Sequence, residues 1–199
     1  MEGAGECDRA LLARAQANAS AVYWKLRELL GLLPARERRL RRVAEDVIRL
    51  LEEPEGVHLA YYPRAPVIRF AGAVIDVSVA LCFHYDLEAG RGGRRTLHYI
   101  TFFPPAKLAS DPELRYTLAH ELAHAAGYRG EEPAARLADE LAARFPSQLW
   151  KPTLCAHDYA RRGAEGAVDL SEFARWIDER PAEFREALSS CCEELKPVG

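Results

Sequence analysis

An α+β fold is the architecture that the 199-residue sequence predicts, and three observations predict it. Apolar residues recur at three- and four-residue steps over the first fifty positions. The middle of the chain is rich in β-branched and aromatic residues with turn signals between the runs. Helical spacing then returns from about residue 110. Helices, a small mostly antiparallel sheet, and helices again therefore follow one another. The order divides the chain into N-terminal helices over 1–55, a core over 56–149 and a helical C-terminal extension over 150–199, packed as one unit.

A first helix is expected over about 8–32, where Leu11, Leu12, Ala15, Ala19, Val22, Leu26, Leu29 and Leu30 share a face and Gly31 with Pro34 ends the run. A second, over about 35–53, turns Leu40, Val43, Val47, Ile48 and Leu51 inward. Its basic run over 36–42, with Arg36, Arg38, Arg39, Arg41 and Arg42, reads as a solvated helix face. Arg41 pairs with Glu45 and Arg42 with Asp46 at helical spacing, and a nucleic-acid contact through this helix is the alternative.

Strands follow in "VHLAYYP", "APVIRFAG" and "AVIDVSVALCFHYD". In the longest, Ile75, Val77, Val79, Leu81 and Phe83 line one face, with Asp76, Ser78, Cys82 and His84 on the other. "LEAGRGGRR" is a hairpin connection, returning as the strand "TLHYITFFPP". His84 and His98 then face each other across the hairpin, as ordinary sheet-surface histidines or as a second metal site. Near the end, "DLSEFARWIDER" and "PAEFREALSSCCEEL" read as two short amphipathic helices.

The composition excludes several classes. With a net charge of −3, nothing global draws the chain to nucleic acid or an anionic membrane. The longest apolar-leaning stretch, "AGAVIDVSVALCF", is interrupted by Asp76 and too short to span a bilayer. Five cysteines without CxxC spacing indicate neither a disulfide framework nor a zinc knuckle. The N-terminus lacks a signal-peptide apolar core, so a reduced, cytoplasmic protein is the expectation.

The chemistry concentrates in "SDPELRYTLAHELAHAAGYRGEEPAARLADELAARF". Ser110 and Glu113 form a capping box, Pro112 suits the first turn, and Gly127 stops the helix. His120 and His124, four apart, present two imidazoles to one cation, a pairing that suits zinc. Glu121, beside the first histidine, is placed to act as general base on a water that the metal activates. This is the HExxH motif.

A third ligand is needed, and Glu131, Glu132, Asp139 and His157 are the candidates. The buried stripe of the next helix is Ala134, Leu137, Ala138, Leu141, Ala142 and Phe145. At about 100° per residue, Glu131 falls within about 20° of Ala138, whereas Glu132 points about 120° away. Glu131 thus aims into the helix–helix contact. His157 and Tyr128 are candidates to steady an oxyanion.

"TLAHELAHAAG" after a sheet, followed by a glutamate helix, resembles the gluzincin branch of the zincin metallopeptidases. It is most similar to compact minigluzincin-like groups, including the ImmA/IrrE-like peptidases. The resemblance covers about 57–145. It implies Zn2+ held by His120, His124 and Glu131, with Glu121 as the catalytic base. It also implies a peptide or protein substrate lying along the strand 97–103. The family's E-x-x-A-[D/N] pattern meets "EEPAA" here, with Ala135 where Asp or Asn is usual. Asp139 is the substitute, and a zincin-fold sensor with little proteolysis is the rival reading.

Overall fold

A computed structural model describes residues 7–89 and 93–199. The centre of the expected glycine-rich connection, 90–92, lies outside the described residues. Helix α1 (Arg9–Leu32) starts where the Asp8 carboxylate accepts from the Leu11 N–H at 2.9 Å. Helix α2 (Arg38–Glu52) packs beside it. Arg41 donates to the Leu30 and Leu33 carbonyls at 3.0 and 2.9 Å, satisfying orphaned acceptors at the end of α1.

Strands β1 (Val57–Tyr61), β4 (Ala80–Ala89), β5 (Gly93–Phe102) and β7 (Cys192–Glu194) form one sheet in the order β4-β5-β1-β7. The β4–β5 and β1–β7 pairs are antiparallel and β1–β5 is parallel. A smaller sheet, β3-β2-β6, joins β3 (Ala73–Val77), β2 (Pro66–Phe70) and β6 (Val168–Asp169). With seven helices among the described residues and two small mixed sheets, the class is α+β.

Both faces of the larger sheet are covered, which the period-2 pattern serves by sending alternate residues to opposite cores. Leu59, Tyr61, Ala80, Ile100 and Phe102 pack under α1, α2, α3 (Asp111–Ala125) and α4 (Glu131–Arg144). Ala60, Tyr62, Tyr99 and Phe103 pack on the other face against Phe173 of α6 (Leu170–Glu179) and Phe184 and Leu188 of α7 (Pro181–Ser190). The C-terminal segment therefore completes the fold and supplies β7.

Three expectations are corrected. Residues 73–86 are not one strand. Ser78 donates its N–H to the Pro66 carbonyl at 3.0 Å in the small sheet, while Ala80 pairs with Phe102 in the large one. The chain therefore changes sheets between them. Strand 97–103 is not a sheet edge, because β5 is paired with β4 on one side and β1 on the other. The free edge beside α3 is that of β4.

The third correction concerns cysteine. Cys7 and Cys191 form a disulfide across a sequence separation of 184, joining the start of α1 to the lead-in of β7. The cysteine argument for a reduced compartment falls with it. No helix among the described residues is long and apolar enough to cross a membrane.

Cross-linking a loop of that length should stabilise the fold by about 5 kcal/mol in the chain-entropy model, and removal of native bridges commonly costs about 2–5 kcal/mol. Replacing Cys7 and Cys191 together by serine should lower the denaturant midpoint, with a loss of unfolding free energy in that range. An unchanged midpoint would show that the bridge adds nothing. At the two-residue β2–β3 turn, Ala71 and Gly72 both have positive φ, 49° and 83°. Since a non-glycine residue pays about 1–2 kcal/mol there, Ala71→Asn should raise stability by up to about 1 kcal/mol in thermal unfolding.

Candidate metal centre

Helix α3 is buried almost all round. Leu114, Leu118 and Leu122 are fully enclosed, each worth about 1.5–3 kcal/mol of transfer energy. That packing, more than local propensity, fixes the rotation of the helix. At its start Glu113 accepts from the Ser110 N–H and hydroxyl, both at 2.8 Å. The same carboxylate takes the Cys155 N–H at 3.2 Å, tying in α5 (Thr153–Arg161). After Ala125 the chain reverses through Gly127, whose φ of +100° favours glycine, and returns as α4.

This reversal brings three donors together. His120 and His124 place their Nε2 atoms 3.2 Å apart. The Glu131 carboxylate lies 3.2 Å from His120 Nε2 and 3.6 Å from His124 Nε2. His124 Nδ1 donates to the Tyr128 carbonyl at 2.7 Å, which leaves Nε2 as the lone-pair nitrogen. Burial, and then the neighbouring His124, push the His120 pKa down against the pull of Glu131. Two imidazole Nε2 atoms and a carboxylate thus converge at one point. All three donor atoms lie within 4.8 Å of one another, as ligands of a single small cation do. The set fits zinc: two nitrogens and an oxygen, with a fourth position open.

Glu131 rather than Glu132 faces the histidines, and Glu132 pairs instead with Arg39 on α2 at 2.8 Å. Its setting differs from the expected one. The Glu131 side chain is 82% exposed, because it stands on the first turn of α4 at the rim of the helix contact, not inside it. Ala134, Leu137, Ala138 and Leu141 do form the buried stripe.

Glu121 is buried. Desolvation, reinforced by the Glu131 charge, raises its pKa well above the usual carboxylate range, and the Cys82 N–H on the β4 edge opposes the rise. Two cavities meet at His120, Glu121 and Glu131. One, of about 530 Å³, runs under Val74 and Ile75 of β3 towards Ala156 and His157 of α5. The other, of about 560 Å³, follows the β4 edge past Cys82, His84 and Asp86 to Arg129.

His157, a candidate from the sequence, lines the cavity that opens on His120. Tyr128 is corrected: its hydroxyl donates to Asp46 on α2 at 2.7 Å, and its contribution to the site is the carbonyl that orients His124. Sequence reasoning missed Arg129, the cation nearest the β4 cavity, and Tyr116, whose hydroxyl donates to Asp139 at 2.6 Å. Tyr116 stands one turn before His120, and that spacing was the available signal. Asp139 also draws the His120 pKa upward, against the fall that burial causes.

Compared with models of protein families, with curated proteins and with solved structures, the chain matches none. The site therefore rests on its own geometry. Glu131→Ala should lower zinc affinity at least tenfold in a competition titration against a chromophoric chelator, with Glu132→Ala unchanged. Equal effects would contradict the assignment of Glu131.

Proposed function

We propose that this chain is a zinc-dependent endopeptidase. The observation that carries the reading is the convergence of His120, His124 and Glu131 beside a buried Glu121, at the junction of two cavities. A substrate that extends both ways from the reacting bond needs space on both sides of the metal, and a cleft of this form offers it.

Zinc held there supplies Lewis acidity, polarising a peptide carbonyl and lowering the pKa of a water molecule. Glu121 takes the proton from the attacking water and delivers it to the leaving amide nitrogen. Burial suits it to both steps, since a carboxyl group with a raised pKa accepts a proton readily and can hand it on. His157 and Arg129, in opposite cavities, are the groups available to steady the carbonyl oxygen as it gains charge. The substrate adds as an extended strand to the free edge of β4, replacing the 97–103 strand in that role.

The arginine helix takes a scaffold role in this reading. Arg39 pairs with Glu132, Arg41 caps α1, and Arg42 lies 3.9 Å from Asp46.

A fluorogenic peptide library tests the proposal. The zinc-loaded chain should cleave internal bonds, and Glu121→Gln should retain zinc while losing about 10²–10⁴-fold in rate. Loss of zinc with no change in cleavage, or no cleavage by the loaded wild type, would overturn it.

A further inference from the structure

The face of the larger sheet that meets α3 carries a second convergence of donors, outside the HExxH set. His84 and His98 are direct cross-strand partners in the β4–β5 register, and their Nδ1 atoms are 2.8 Å apart. Cys82 stands two residues before His84 and so projects from the same face. Its sulfur and the two imidazoles each offer one donor atom, all within 4.8 Å of one another.

We propose that Cys82, His84 and His98 form a second metal site that takes zinc. It is separate from the HExxH site and independent of whether the chain cleaves peptides.

Three arguments carry this. Two Nδ1 atoms in contact can share only one proton, so a simple histidine pair would use one N–H and leave the thiol without a role. A cation uses both lone pairs and the sulfur together. The donor set is also selective, because thiolate and imidazole favour zinc over hard cations such as calcium or magnesium. Finally, the position is reachable. Cys82 and His84 line the β4 cavity, and His98 lines a shallow depression beside Asp46 and Gly127. On binding, the Cys82 S–H bond breaks and a sulfur–zinc bond forms, with one proton released to solvent per ion. Three protein donors leave a fourth position to water.

The two sites touch through one residue. Cys82 lines the same cavity as Glu121 while its side chain belongs to the second cluster. Occupancy of the second site thus fixes the stretch of β4 against which the buried glutamate rests.

Sulfur separates the sites experimentally. Titrating the full chain with Co2+ should give a thiolate-to-cobalt charge-transfer band in the near ultraviolet, which the nitrogen and oxygen donors of the HExxH site cannot produce. The band should persist in His124→Ala and vanish in Cys82→Ser, although Cys155 and Cys192 are still present. Zinc counted by native mass spectrometry should be two ions per chain in the wild type, one in His124→Ala and one in His98→Ala. Absence of the band in the wild type, or its survival in Cys82→Ser, would overturn the second site. Its presence without metal at His120 and His124 would overturn the peptidase reading alone. Because the wild-type spectrum requires no substitution, misfolding of a variant cannot decide the result.

Discussion

A helix buried on nearly every side cannot leave its polar groups to water, and that constraint on α3 organises the rest of the molecule. Its apolar residues fill the core beneath α1, α2 and α4, so each polar side chain on it must find a protein partner. Glu113 takes two donors from Ser110 and one from α5. Thr117 donates to the Glu113 carbonyl, Tyr116 to Asp139 on α4, and His124 to the Tyr128 carbonyl. Glu121 is enclosed beside the edge of β4. When these groups have been paired, the two Nε2 atoms and the Glu131 carboxylate remain, facing one another. A bound cation is one way to satisfy that arrangement.

Satisfying α3 also explains why elements distant in sequence meet at one place. The Cys155 N–H brings α5 to the helix start, so His157 and Ala156 come to line a cavity that opens on His120. The β4 edge is fixed by the Cys82 contact, which sets the second cavity along the strand. On the outer rim the β2–β3 hairpin leaves Ile75 62% exposed and Phe70 73% exposed. Ile75 lines the cavity that runs towards His157 while Phe70 stands at the turn, so apolar surface continues outward from the cleft.

The sequence was most informative where one element carries its own signals. The α3 motif, its Ser110 cap and its Gly127 stop are local, and the azimuth of Glu131 followed from the stripe of α4. Burial depth did not follow, because the position of a first-turn residue depends on the loop before it and not on helical period. Pairings between remote segments were hidden for a similar reason. Nothing in "LHYITFF" reveals that β1 lies parallel along its other side, and β7 is three residues long with no alternation to read. The Cys7–Cys191 bridge joins positions so far apart that only the completed sheet brings them together. The break between β3 and β4 occurs inside an unbroken β-branched run. Strand propensity registers extension but not a change of sheet.

The parity of β4 makes a different point. Its alternation correctly set Cys82 and His84 opposite Leu81 and Phe83, and the expectation of ordinary surface histidines came from assuming that the polar face meets solvent. Cys82 on that face packs towards the α3 core and His84 lines a cavity beside it, while Leu81 and Phe83 pack against the C-terminal cluster on the other side. Polar residues retained on a covered face are costly unless paired. The low pKa of His98, pushed down to about 4 first by burial and then by His84, records that cost. A strand whose two faces are both partly covered can therefore look, from period alone, like one with a single exposed face. Partners across the sheet distinguish the two cases, and here those partners are another histidine, a thiol and the helix that carries His120 and His124.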